Sequence, residues 1–157
     1  MPRPYDNFDR KKYIFKAEIN YRQNPEAYRV AKGEQGVLIC EPYKSEILPY
    51  WRFAKPETAK ESSEKIYSLF EEYLKNDDFI GADMARKFLQ MGFTRSRRYY
   101  NYKGGKKYRD SSGEMFERNT GDPEKMQSSL YFYEKWQEAE NNLMYKEKKN
   151  EWREKWG

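Results

Sequence analysis

Apolar positions recur with a helical period in two long segments of the chain. Between residues 56 and 75 they fall at i, i+3, i+4, i+7 and i+8, the spacing of one buried helix face. These positions are Ile66, Leu69, Phe70, Tyr73 and Leu74. The same period runs from Ile80 to Phe88, and Gly92 is typical of a left-handed helix end. Both segments therefore predict amphipathic helices with one face in a core.

Capping signals predict two further helices. Thr94 can accept hydrogen bonds from the first free backbone N–H groups of a following helix. Asp122 followed by Pro123 is a helix start, because proline is tolerated where no backbone donor is needed. Altogether we expect main helices near 58–75, 79–91, 95–102 and 123–145.

One short strand is expected between Gly36 and Pro42. Its sequence, GVLICE, is compact, partly β-branched and bounded by turn residues, and a second strand is predicted through Trp51–Phe53. The predicted fold class is therefore α+β and mostly helical, with a small two- or three-stranded sheet packed against about four main helices. We expect a single domain, with an extended arm at 1–24, a core at 25–145 and a projecting or frayed helical tail at 146–157.

The amino-acid composition restricts the catalytic and metal-binding chemistry that the chain can support. The 157 residues include 15 Tyr, nine Phe and four Trp, which predicts a core built from rings. Histidine is absent, which removes the commonest general base and metal ligand. Cys40 is the single cysteine, so no intrachain disulfide or Cys/His zinc site can form. We expect a buried, inert thiol, no catalytic or metal-ligating residues, no cofactor and a nonenzymatic protein.

The hydropathy pattern argues against a membrane partner. The longest apolar run, residues 37–40, has four residues, whereas a membrane helix needs about 20. The amino terminus, MPRPYDNFDRKK, has no apolar signal core. The predicted location is cytoplasmic.

Charge is concentrated in one stretch, RKFLQMGFTRSRRYYNYKGGKKYR, at residues 86–109. It carries nine basic residues and no acidic one. The whole chain has 31 basic and 26 acidic side chains, net +5, so the remainder sums to −4. A local excess of positive charge with interleaved aromatic rings can neutralise phosphates and stack on bases. The predicted partner is therefore nucleic acid, DNA or RNA, or another polyanion. The predicted contact residues are Arg86, Lys87, Arg95, Arg97, Arg98, Tyr99, Tyr100, Tyr102, Lys103, Lys106, Lys107 and Arg109.

This segment has several interpretations. Arg86 and Lys87 could instead solvate the back of a helix, with the other cations paired to acidic residues between Glu57 and Asp78. The sequence around Gly92 has the order of a helix-turn-helix, but an ordinary corner between two helices fits better, because the position one turn before Gly92 holds the bulky Phe88. Exposed tyrosines would favour single strands or RNA over duplex DNA.

Two other function classes stay open. Glu34, Glu41, Glu46 and Lys44 cluster in sequence and could form the site of a divalent-metal-dependent enzyme acting on nucleic acid. Trp152 and Trp156 lie one turn apart in the C-terminal helix. They could anchor a protein partner or a homo-oligomer.

Three blocks of the chain resemble an uncharacterised domain-of-unknown-function family. They are YRVAKGEQGVL at 28–38, EPYKSEILPYWRF at 41–53 and FIGADMARKFLQMGFTRSRRYYNYKGGKKY at 79–108, and the closing segment DPEKMQSSLYFYEKW is also similar. The resemblance implies relatives in tailed viruses of cyanobacteria and in bacteria, archaea, fungi and plants. A viral member would act in the host cytoplasm. No activity, cofactor or catalytic residue comes with the resemblance.

Overall fold

The computed structural model describes residues 15–102 and 121–157, and this part of the chain is helical. Two 3-10 turns, Pro25–Ala27 and Leu48–Tyr50, accompany the α-helices. The five α-helices are α1 (Tyr43–Ile47), α2 (Pro56–Lys75), α3 (Phe79–Asn101), α4 (Glu124–Glu140) and α5 (Leu143–Trp156).

Helix α3 is the centre of the fold. It packs against α2 and α4, which also pack against each other, so these three helices form a bundle. Every residue of α3 from Phe79 to Leu89 is buried. The helix begins where predicted, because the Asp78 side chain accepts a hydrogen bond from the Gly81 backbone N–H at 3.1 Å.

The segment from residue 15 to residue 41 covers the bundle without forming a sheet. Its buried side chains are Phe15, Tyr21, Tyr28, Val30, Val37 and Cys40. Cys40 is a free, buried cysteine, as expected. Burial raises the pKa of its thiol to about 12, and a thiol that stays protonated is a poor nucleophile.

The predicted α+β fold class is wrong, because the described residues contain no strand. The backbone N–H groups of Ile39 and Cys40 both donate to the Gly36 carbonyl, at 3.0 Å each, so the predicted strand is a turn. The extended pairing in this region is one isolated bridge between Asn20 and Glu41. A short apolar run can be buried by a strand or by a turn packed on a helix, and its hydrophobicity does not distinguish them.

The helix expected to end at Gly92 continues through it to Asn101. The glycine is explained by a close approach between helices, because the Phe132 ring of α4 lies directly against Gly92, where a Cβ atom would overlap it. A glycine inside a helix can serve such packing as well as an end. The two helices predicted at 79–91 and 95–102 are therefore one continuous helix, α3.

The C-terminal region also differs in detail from the sequence pattern. The helix expected at 123–145 is divided into α4 and α5, and Asn142 caps α5 by accepting a hydrogen bond from the Tyr145 backbone N–H at 3.0 Å. Residues 146–156 of the predicted tail lie in α5. This helix docks on the bundle, since the Tyr145 side chain is fully buried.

Candidate polyanion-binding surface

Asp83 lies at the centre of a buried cluster of charged and hydroxyl groups. Its Oδ1 accepts hydrogen bonds from Arg86 Nη2 at 2.7 Å and from the Tyr145 hydroxyl at 2.6 Å. Its Oδ2 accepts one from the Tyr28 hydroxyl and lies 3.8 Å from Lys87 Nζ. None of these five side chains is more than 3% exposed. The cluster joins α3, α5 and the N-terminal segment at one carboxylate.

The charges of this cluster stabilise one another. Burial alone would raise the pKa of Asp83, but the charges of Arg86 and Lys87 and the two tyrosine hydrogen bonds outweigh it and lower that pKa to about 2. Burial lowers the pKa of Lys87 to about 8, since Asp83 offsets the desolvation only in part. At neutral pH the carboxylate is therefore ionised and Lys87 is mainly protonated.

Arg86 and Lys87 also bind the backbone of the loop at residues 32–39. Arg86 Nη1 donates to the Gly33 carbonyl at 2.6 Å, and Lys87 Nζ donates to the Gln35 carbonyl at 2.7 Å. Lys87 Nζ additionally lies 5.1 Å from the centre of the Tyr28 ring. These two predicted phosphate contacts are thus interior residues that fasten the loop to α3. They do not form part of an exposed basic surface.

The C-terminal half of α3, residues 93–101, carries three further predicted cations at or near the surface. Arg98 is exposed, and Arg95 and Arg97 are half-buried. Arg95 and Arg98 are three residues apart and therefore share one helix face. Among the described residues no carboxylate lies within salt-bridge distance of any of these three guanidinium groups.

Arg97 points away from that face and toward α4. Its guanidinium carbon lies 5.9 Å from the centre of the Phe93 ring, and its Nη1 lies 3.4 Å from the Met126 sulfur. Its charge thus lies beside the α3–α4 contact. Arg95 and Arg98 are therefore the two arginines that share one face of α3.

The three predicted stacking tyrosines have different surroundings. Tyr99 is 37% exposed, and its ring centre lies 5.9 Å from that of Phe53. Tyr100 is half-buried, and Tyr102 is buried at 9% exposure. Tyr99 therefore offers the most accessible ring of the three. The remaining predicted contacts lie outside the described residues; they are Lys103, Lys106, Lys107 and Arg109.

A groove of about 430 Å³ lies between the 32–39 loop and α3, and we call it the loop–α3 groove. Residues 34–39 form one wall, and Lys32, Met91 and Arg95 complete it. Val37 and Met91 are buried, whereas Leu38 is 43% exposed. The groove therefore combines an apolar lining with two cations, Lys32 and Arg95.

Among the described residues that line this groove, Glu34 is the one carboxylate. Its Oε2 accepts a hydrogen bond from Thr94 Oγ1 at 3.0 Å, which links the loop to the C-terminal half of α3. Burial raises the pKa of Glu34, although the Thr94 hydrogen bond and the charges of Arg95 and Arg98 oppose the shift. Arg95, Arg98 and Glu34 thus act on one another electrostatically within the same small region.

The residues considered for a metal site are engaged separately. Glu46 forms an ion pair with Arg22 at 2.6 Å and accepts a hydrogen bond from the Tyr73 hydroxyl at 2.8 Å. Glu41 accepts a hydrogen bond from the Ser45 backbone N–H at 2.9 Å. Within 15–102 and 121–157, no group of three cysteine or acidic side chains is arranged to hold a metal ion.

The tryptophans considered as a partner anchor contact the chain itself. Trp152 Nε1 donates to the Tyr28 carbonyl at 3.0 Å, and its ring stacks on Phe79 with centres 5.2 Å apart. Trp156 lies 6.4 Å from Trp152, measured between ring centres. Trp152 therefore serves to dock α5 on the N-terminal end of α3.

Sequence reasoning missed the role of Asp83, Tyr28 and Tyr145 as the hub of the buried cluster. One signal was present, because Asp83 precedes Arg86 and Lys87 by three and four residues, the spacing at which helix side chains meet. The two tyrosines carry no such signal, since they are 55 and 62 residues away from Asp83 in the chain.

Comparison with known proteins adds a family and no activity. No curated protein and no solved structure matches the chain. Among the described helices, none is long and apolar enough to cross a membrane. The model of the family described as "Domain of unknown function (DUF4385)" matches residues 11–155. This match covers nearly the whole chain, and the protein therefore belongs to that uncharacterised family.

Proposed function

We propose that this protein binds nucleic acid through the surface formed by Arg95, Arg98 and Tyr99 on α3 together with the edge of the loop–α3 groove. The observation that carries the proposal is the pair of guanidinium groups one helical turn apart, with no salt-bridged carboxylate among the described residues. Unpaired guanidinium groups on a common face bind phosphate oxygens by charge-assisted hydrogen bonds.

The scaffold beneath this surface favours a preorganised site. Arg95 and Arg98 lie on a helix whose preceding three turns are fully buried. The loop opposite is attached through the Gly33 and Gln35 carbonyls. Side chains on a fixed scaffold lose less conformational entropy on binding than side chains on a free loop.

Further sequence-predicted contacts extend the same proposal. Arg97 adds positive charge beside the α3–α4 contact, and Tyr99 provides a partly exposed ring for stacking. The cations that follow in sequence, Lys103, Lys106, Lys107 and Arg109, remain predictions from the charge pattern.

The test is a titration of fluorescently labelled single- and double-stranded oligonucleotides at two salt concentrations. We expect Arg95→Glu with Arg98→Glu to weaken binding about tenfold or more at low salt, because phosphate contacts are exchanged for repulsion. The slope of log K against log salt should fall by about two, one for each lost contact.

A matched control removes the same charge elsewhere. Lys146 and Arg153 are exposed residues of α5, a helix that packs at the Phe79 end of α3. Phe79 lies about 24 Å from Arg95 along the helix axis, at 1.5 Å per residue. Lys146→Glu with Arg153→Glu should change the affinity far less. Equal losses in the two double variants would show that net charge, and no particular surface, controls binding.

A further inference from the structure

The loop–α3 groove has the chemistry of a pocket for a single unstacked base. Its apolar lining includes Val37, Leu38 and Met91, and Arg95 and Lys32 also line it. Aromatic bases have two apolar faces and a polar edge, so they suit a groove with an apolar lining and a few polar side chains, here Glu34 and Gln35 besides the two cations. The volume of about 430 Å³ accommodates one ring system together with solvent.

Glu34 supplies the hydrogen-bond acceptor, since Gln35 Oε1 already accepts a hydrogen bond from the Lys32 backbone N–H at 3.2 Å. The hydrogen bond from Thr94 occupies Oε2, and a carboxylate has about four acceptor positions in all, so acceptor capacity is left. A carboxylate accepts hydrogen bonds from amino groups such as N4 of cytosine. Thymine presents two carbonyl oxygens, which the carboxylate repels. Its single donor at that edge is N3–H.

The surrounding charge selects an anionic ligand for this groove. Lys32 and Arg95 line it, and Arg98 is close enough to lower the pKa of Glu34. A neutral apolar peptide would leave these cations without partners. A nucleotide unit suits both the cations and the apolar lining of the groove, because its phosphates can face the cations while its base contacts the apolar side chains.

We propose that the loop–α3 groove receives an unpaired base bearing an exocyclic amino group, with Glu34 as its hydrogen-bond acceptor and Arg95 and Lys32 on the flanking phosphates. This inference rests on the proposed function and sharpens it, since it commits the protein to single-stranded nucleic acid. A paired base cannot enter the groove without leaving its helix.

The experiment compares three labelled 12-mers with the full-length protein at one salt concentration: dC12, dT12 and the dC12·dG12 duplex. Duplex DNA has a higher charge density than a single strand, so binding by charge alone would favour the duplex. We expect the opposite order, with dC12 bound at least about tenfold more tightly than the duplex. We also expect dC12 to be bound about fivefold or more above dT12.

Two variants separate base recognition from the structural role of Glu34. Glu34→Ala removes the acceptor together with the Thr94 hydrogen bond, whereas Thr94→Val removes the same hydrogen bond and keeps the carboxylate. We expect Glu34→Ala to abolish the preference for dC12 over dT12 and Thr94→Val to retain it. If Glu34 only repels phosphate, its removal will strengthen binding of dC12 and dT12 equally, and that result would overturn the inference.

The outcomes also distinguish this inference from the function on which it rests. Binding of all three 12-mers in the order set by charge, with no difference between dC12 and dT12, would refute the base pocket and leave polyanion binding intact. Absence of binding to every 12-mer at low salt would refute the proposed function and the pocket with it.

Discussion

The two halves of α3 carry the same kind of residue in opposite environments. From Phe79 to Leu89 every position is buried, and Arg86 and Lys87 face Asp83 in the interior. In the second half, from Phe93 to Asn101, one residue is buried, and it is Ser96. Arg98 in this half is exposed. The first pair of cations attaches the 32–39 loop to α3, whereas Arg95 and Arg98 form no salt bridge with a carboxylate of the described residues. A basic segment in a sequence therefore does not identify a binding surface by itself, because some of its cations can be buried.

The largest expected difference between the two halves of α3 is in the free energy of unfolding when an arginine of each half is replaced by glutamine. Arg86→Gln leaves Asp83 buried beside Lys87 and removes the bond to the Gly33 carbonyl. We expect it to lower the free energy of unfolding by about 3–5 kcal/mol, the usual effect of breaking a buried ion pair. Arg98→Gln should change it by less than about 0.5 kcal/mol. Urea unfolding at pH 7 measures both, and similar losses would contradict the comparison.

Alkaline pH tests the charge on the buried half. The pKa of Lys87 is about 8 in the folded protein and about 10.4 in an unfolded chain. Between these values the unfolded state binds more protons, so the contribution of Lys87 to stability rises with pH. We expect the stability of wild type relative to Lys87→Met to increase by about 2 kcal/mol from pH 8 to pH 10.

Taking the difference in stability between wild type and Lys87→Met cancels most of the opposing contribution of the other buried groups; the part that remains is the lowering of the Cys40 pKa by the charge of Lys87. The pKa values of Cys40, Tyr28 and Tyr145 are raised by burial. These groups destabilise both proteins as pH rises, because the unfolded thiol and phenols ionise first. A flat difference between wild type and Lys87→Met across this range would show that Lys87 stays charged in the folded state.

Acid pH tests the carboxylate of the same cluster. The folded pKa of Asp83 is about 2, below the unfolded value of about 3.9. Its contribution is therefore complete above pH 4 and is lost as pH falls toward 2, with a magnitude on the order of 2 kcal/mol. NMR titration of the Asp83 carboxyl carbon measures this pKa directly, and a midpoint near 4 would remove Asp83 from the ion cluster.

The smallest expected effect concerns the junction between the two halves. Gly92→Ala improves helix propensity by about 1 kcal/mol, but the new methyl group overlaps the Phe132 ring. Overpacking of this kind costs about 1–3 kcal/mol, so we expect a net loss of about 1 kcal/mol in thermal or urea unfolding. Gly92→Ala combined with Phe132→Leu should recover part of that loss. Stabilisation by Gly92→Ala alone would show that the ring moves aside freely.

Some elements of the structure were predictable from local pattern. The helix of residues 56–75 follows from its apolar period, and the start of α3 follows from Asp78 as a cap. Burial of Cys40 follows from its apolar neighbours. These features depend on residues within one or two turns of each other, and such contacts are visible in the sequence.

Other elements were decided by distant residues. The apolar run at 37–40 forms a turn because it packs on the bundle, and its hydrophobicity is the same in either structure. Gly92 lies inside a helix and not at its end, and its lack of a side chain makes room for the ring of Phe132, 40 residues later. Arg86 and Lys87 are interior because Tyr28, Tyr145 and the 32–39 loop close over Asp83.

By itself, then, the sequence determined the helical periods, the aromatic character of the core and the amount of positive charge between residues 86 and 109. Only the tertiary structure decided which of those charges are internal partners of Asp83 and which reach solvent. The physical reason is that the energy of a charge depends on its distance from solvent and from other charges. In this protein the spacing of Asp83 to Arg86 and Lys87 is local, whereas their distance from solvent is set by contacts between residues more than 50 positions apart.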